Sequence, residues 1–170
     1  MDFKTMYMKS NHTKKLIFCF LIVLMGACKK DDDKVVPEVD FTSEFIGNYK
    51  TQTADAVYSA DHLWEVTAVS KNKLGIVYTR NVTATISGIP VKVYQKYALA
   101  NVTTTAKDSF TINEEVDVEQ TGGAALKQKV TGVGTKVTNA SGVQQINITL
   151  KTTNSSTGVA AEEYLEFKKN

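Results

Sequence analysis

From Phe41 to the C-terminus, apolar and polar residues alternate in short runs separated by turn residues. A period of two is the signature of half-buried β-strands. Trp64, Val66 and Ala68 share one face of such a run, with Glu65 and Thr67 opposite, and Ser70-Lys71-Asn72-Lys73 makes a turn. Leu74 to Arg80 follows, with Ile76 and Tyr78 in phase; Val82, Ala84 and Ile86 then alternate with Thr83, Thr85 and Ser87. Ser87-Gly88-Ile89-Pro90 breaks the pattern before Val91 to Leu99, where Val91, Val93, Tyr97 and Leu99 agree in phase. In the second half Phe110 and Ile112 close one run. Val116 and Val118 alternate with Glu115, Asp117 and Glu119, and Thr121-Gly122-Gly123 turns the chain. Leu126, Gln128 and Val130 lead into Gly132 and Gly134, which suggest a bulge or sharp bend. After the hairpin signal Asn139-Ala140-Ser141-Gly142, the residues Ile146, Ile148 and Leu150 give the clearest alternation, and Leu165 and Phe167 point inward from a closing strand.

About eight strands, with abundant Thr and Val and almost no helical periodicity, predict an all-β fold. Strands at this spacing argue for a β-sandwich or an antiparallel up-and-down barrel, and the pattern leaves both open. Thr42-Ser43-Glu44 is expected to cap a short helical turn ahead of the first strand.

The residues before Phe41 follow a different pattern. Leu16 to Ala27 is an unbroken apolar block of 12 residues. As a helix it would cover roughly 18 Å, short of the bilayer's hydrocarbon core of about 30 Å. With Lys4, Lys9, Lys14 and Lys15 ahead of it, the block fits the apolar region of a secretory signal peptide. Leu24-Met25-Gly26-Ala27-Cys28 resembles a bacterial lipobox, which implies cleavage before Cys28 and lipidation of its thiol and new amino group. Lys29-Lys30-Asp31-Asp32-Asp33 resembles the export signal of Bacteroidota-type surface lipoproteins, which implies an outer-membrane protein facing outward. The expected organisation is a signal peptide over 1–27, a lipidated N-terminus and flexible linker over 28–40, and an all-β domain over 41–170.

Processing changes what composition means. The net charge is +2, but residues 1–27 carry +3, so the remaining 143 residues are near −1. A chain of that balance offers no basic patch for nucleic acid. Cys19 leaves with the signal and lipid consumes Cys28, so no thiol remains for a disulfide, a metal or a nucleophile. His62 is the one histidine left.

Phe45-x-Gly47-x-Tyr49, preceded by a short turn, resembles the opening of lipocalin-like (calycin) domains. That resemblance makes a single antiparallel up-and-down barrel of about eight strands the first expectation, with a β-sandwich as the alternative. Tyr49 stands where that family has Trp, and the sequence has no C-terminal Arg to pack on it, which leaves Lys168 as the candidate substitute.

Candidate chemistry is sparse. Asp61-His62 with Glu65 and Asp55 is one possible metal or acid–base cluster, though His62 is expected on the surface or at a strand edge. Glu115, Asp117 and Glu119 fall on one solvated strand face, and Glu162, Glu163 and Glu166 are read likewise. A catalytic triad would need His62 as its base, and no Gly-x-Ser-x-Gly elbow is present. Trp64, Tyr78 and Tyr97 are the candidate ligand pocket, with Tyr94 nearby; aromatics at such positions also serve simply as core. The expectation is a membrane-anchored, non-enzymatic surface lipoprotein with no cofactor or metal, binding a small apolar ligand or a partner protein. The alternatives are a small envelope hydrolase acting on carbohydrate or peptide, and a structural accessory of an envelope complex.

Overall fold

The computed structural model describes residues 38–56 and 58–170. Cys28, Lys29, Lys30, Asp31, Asp32 and Asp33, with the whole apolar block, lie outside the described residues. The folded unit runs from Val39 to Asn170. A 3₁₀ turn over Thr42–Glu44 precedes eight strands: β1 (Gly47–Ala54), β2 (Tyr58–Ser70), β3 (Lys73–Ile86), β4 (Ile89–Ala106), β5 (Ser109–Gln120), β6 (Leu126–Thr138), β7 (Gln144–Asn154) and β8 (Ala160–Lys169). All neighbours are antiparallel and in chain order, and β8 returns to β1, so the sheet is a closed up-and-down barrel. The sandwich alternative is excluded.

Alternation decides what fills it. The inward set includes Tyr49 of β1; His62, Trp64 and Val66 of β2; and Leu74, Ile76 and Tyr78 of β3. Tyr97 and Leu99 come from β4, Phe110 and Ile112 from β5, Ile146, Ile148 and Leu150 from β7, and Leu165 and Phe167 from β8. Aromatic rings occupy the centre. Trp64 stacks on Phe167 with centroids 4.0 Å apart, and Tyr78 stacks on Tyr97 at 5.1 Å. Phe110 meets Phe45 edge-on at 5.3 Å. Eight strands leave an interior just wide enough for side chains, and here the side chains fill it.

Two differences from the sequence expectation have clear causes. Gly132 and Gly134 are not at a bulge, because the β5–β6 register runs unbroken through both. They point inward and make room: a Cβ on Gly134 would come within 2.2 Å of the Phe110 ring, and one on Gly132 within 2.9 Å of Ile148 Cδ1. The bulges are elsewhere. The β3–β4 register shifts between Leu74 and Ile76, where β4 carries two successive outward residues, Ala100 and Asn101. Their backbone N–H groups donate to one Glu114 oxygen at 3.0 and 2.9 Å, which satisfies donors that the ladder leaves over. Leu74–Arg80 and Val82–Ile86, separate runs by pattern, form the one strand β3.

One barrel end is shut by the 3₁₀ turn. Phe45 is buried against Phe110, Gln144 donates to Glu44 O at 3.0 Å, and Lys136 pairs with the Glu44 carboxylate. The chain enters at this end. Asp40, expected in a flexible linker, accepts from Thr42 N, Thr42 Oγ1 and Asn72 N, and Asn72 also donates to Val39 O at 2.9 Å. These bonds hold the Asp40 carboxyl below its usual pKa. The Phe45-x-Gly47-x-Tyr49 opening lies at this end. Tyr49 is buried, its hydroxyl donates to Phe45 O at 2.8 Å, and its pKa is pushed up to about 12 by burial. Lys169, not Lys168, reaches over its ring, 5.6 Å from the centroid. Leu165, Phe167 and Lys169 share the inward phase of β8, so Lys168 faces outward. Gly47 has φ +142°, and a Cβ there would strike Lys169 Cε at 2.7 Å.

Gly134→Ala is expected to lower unfolding free energy by about 1–3 kcal/mol through overpacking, read by urea denaturation. Adding Phe110→Leu should recover part of that loss, giving a favourable coupling in the double-mutant cycle. A neutral Gly134→Ala would remove close approach as the reason for this glycine.

Candidate functional site

The open end of the barrel carries a polar layer above the rings. Its residues occupy the inward phases where the strands leave the core: His62 on β2, Arg80 on β3, Gln128 on β6 and Glu163 on β8. Thr53 joins them from β1. Of these, Arg80 and Glu163 line a pocket of about 180 Å³, together with Tyr58, Tyr78, Tyr97, Leu150 and Thr152, among others.

His62 is fully buried, which corrects its expected surface or edge position. It lies two residues from Trp64 on the same strand face, so the alternation that buries Trp64 buries His62 too. Both ring nitrogens meet hydroxyls, Nδ1 with Tyr78 Oη at 2.7 Å and Nε2 with Thr53 Oγ1 at 2.9 Å. Burial holds its pKa below the ordinary histidine value, against the pull of nearby Glu163. Burial likewise raises the Tyr78 and Tyr97 phenols. Tyr97 Oη donates to Gln128 Oε1 at 2.9 Å.

Arg80 and Glu163 form the charged rim. Arg80 Nη2 lies 3.6 Å from Glu163 Oε2, and each residue is about a quarter to a third exposed. Arg80 Nε and Glu163 Oε1 are buried without hydrogen-bond partners. Glu163 was expected on a solvated outer face; its odd phase, shared with Leu165 and Phe167, turns it inward.

The arrangement around His62 is not that of a catalytic triad. In a triad the carboxylate binds the imidazole nitrogen opposite the nucleophile. Here Thr53 and Glu163 both lie toward Nε2, Glu163 at 3.8 Å, and Nδ1 is taken by Tyr78. Asp61 and Glu65 occupy outward positions on β2 while His62 points in, so they do not converge on it. Among the described residues no group of three or more His, Cys, Asp or Glu side chains could hold a metal ion.

Of the candidate pocket residues, Tyr78 and Tyr97 line the pocket. Trp64 lies one layer deeper, 1% exposed, edge-on to Tyr78 at 6.2 Å. Tyr94 sits half-buried on the outward phase of β4. Glu115, Asp117 and Glu119 are exposed on one face, as expected, with Lys127 against Glu115 and Lys96 against Glu119. Sequence reasoning missed Arg80 and Glu163 as inward charges; extending the phase of Tyr78 and of Leu165 by two residues finds both.

A buried neutral histidine has a thermodynamic signature. The unfolded chain takes up a proton below the ordinary value near 6.5 and the native state takes it up only at lower pH. Stability is therefore complete above that value and is lost as pH falls toward the native pKa. Chemical denaturation midpoints are expected to drop between pH 7 and pH 5, and His62→Gln should flatten that segment. An unchanged slope in the variant would locate the effect in other groups.

No protein-family model, no curated protein and no solved structure matches this chain.

Proposed function

We propose that the chain is an outer-membrane lipoprotein, anchored through Cys28, whose barrel is a non-enzymatic binding module facing outward. The lipobox-like Leu24–Cys28 and the charged Lys29–Asp33 support the anchor and the address. Two or more acyl chains give stable attachment.

The single observation that carries the binding reading is the filled interior. Ligand cavities for drug-sized molecules run about 300–1,000 Å³, and the barrel mouth offers about 180 Å³ over a floor of stacked tyrosines. A partner protein is therefore favoured over a small apolar ligand. The β3–β4 hairpin supplies the contact. Its tip runs past the last β2–β3 pair at Tyr58↔Ala84 and the last β4–β5 pair at Gln95↔Gln120. It exposes Ile86 (60%) and Ile89 (66%) on either side of Ser87-Gly88. An apolar tip on a projecting arm fits an envelope protein with a complementary apolar cleft.

Four measurements test this. Cys28→Ala should move the protein from the membrane to the soluble fraction, and protease added to intact cells should cut the wild type. Crosslinking in cells should capture one envelope protein, and Ile86→Ser with Ile89→Ser should abolish that capture without lowering the unfolding midpoint. A saturable fatty acid that shifts the emission of buried Trp64 would instead restore the internal apolar ligand.

A further inference from the structure

The outer wall carries a second feature, independent of the hairpin. Where charged residues are register partners across outer strand pairs, their signs are opposite: Lys96↔Glu119, Lys127↔Asp117, Lys129↔Glu115 and Lys151↔Glu162. The seam that closes the barrel breaks this rule. It consists of two register pairs, Tyr49↔Lys169 and Lys50↔Lys168. Lys50 and Lys168 are exposed, directly opposed, and make no ion pair with any described residue. Like charges directly opposite on neighbouring strands are destabilising, so the pair works against the seam it belongs to.

These two lysines flank a trough of about 620 Å³ on the outer wall, whose floor includes Gln52, Asp61, Leu63 and Asn81. A second hollow of about 430 Å³ shares Asp61 and Asn81 and extends the trough to Lys92 and Tyr94. The lining runs from a double cation, through amides and a carboxylate, to a further cation beside an aromatic ring. Gln52 Nε2 donates to Asp61 Oδ1 at 2.5 Å, so the central carboxylate keeps one oxygen free of that bond.

We propose that this trough binds a carboxylated sugar chain. Lys50 and Lys168 together take a carboxylate, a role that ion pairing across about 5 Å of strand spacing permits. Asp61 and the amides of Gln52 and Asn81 meet hydroxyl groups, which both donate and accept. Leu63 and Tyr94 offer apolar faces to the C–H surfaces of the rings. An acidic peptide suits the lysines but puts its carboxylates against Asp61, whereas a sugar puts hydroxyl donors there.

The test is binding of oligogalacturonate to the lipid-free chain from residue 29, followed by calorimetry at low and moderate salt. Saturable binding that weakens with salt is expected. Lys50→Gln with Lys168→Gln should weaken it about tenfold, the scale of one lost charge-assisted contact, while unfolding midpoints stay level or rise as the repulsion is removed. Asn81→Ala should weaken binding with its salt dependence intact. No binding, binding indifferent to the lysine pair, or equal binding of polyglutamate would each overturn the proposal. Loss of crosslinking in the hairpin variant leaves this result untouched, so the two readings fail separately.

Discussion

A sheet that closes on itself has one inside, and the number of strands fixes its volume. In this barrel that constraint governs nearly every inward residue. Trp64 and Phe167 stack at its centre, Tyr78 and Tyr97 stack above them, and Phe110 packs below. Rings of that size are accommodated because Gly134 and Gly132 give up their side-chain space to Phe110 and Ile148. Sheets bend at bulges, and β4 takes its bulge at Ala100–Asn101, where Glu114 caps the freed donors. Large rings, missing side chains and bulges are thus one solution to a single volume condition.

The same packing supplies stability that covalent links do not. Both cysteines precede residue 38, so the barrel holds no thiol to cross-link. Burial of apolar area, worth about 25 cal/mol per Å², is the dominant favourable contribution. Polar side chains are buried at both ends, Thr42 and Thr104 near the closed one and His62 toward the open one. His62 is held neutral and bonded at both nitrogens, while Arg80 and Glu163 reach toward solvent. The closed end is tied by Asn72, which binds Val39, Asp40 and Thr104 from a left-handed conformation at φ 55°.

Much of this was legible in the sequence. Period-two alternation located the strands, and the inward positions of Trp64, Ile146, Ile148, Leu150, Leu165 and Phe167 followed from it. The closed barrel itself was reached through the Phe45-x-Gly47-x-Tyr49 opening, since alternation alone suits a sandwich equally well. His62 and Glu163 were misplaced by residue type: each is polar, and polarity outweighed a phase that already placed them inside, while Lys168 was named where the phase of Leu165 and Phe167 leads to Lys169. Gly132 and Gly134 were misread because a glycine in a strand serves a bulge or a close neighbour equally well, and only Phe110 across the ladder decides. The bulge at Ala100–Asn101 depends on a register mismatch between three strands, which no single run of residues encodes. The opposition of Lys50 to Lys168 is likewise a fact of register, invisible until β1 and β8 are paired.

That opposition bears on how the barrel shuts. Two register pairs and the bond from Asn170 N to Asn48 O are a thin ladder. Side chains contribute the rest of the closure: the Trp64–Phe167 stack ties β2 to β8 beneath β1, and Lys169 lies over Tyr49. Because these contacts lie inside, the outer faces of β1 and β8 can carry a repulsive pair at a cost of about 1 kcal/mol or less. An anion held between Lys50 and Lys168 would reverse that sign and become a link across the seam from outside. A ligand that binds only the closed form raises its stability by mass action. Occupancy of the trough and integrity of the barrel are therefore coupled, and the weakest part of the ladder is also the part a ligand can reinforce.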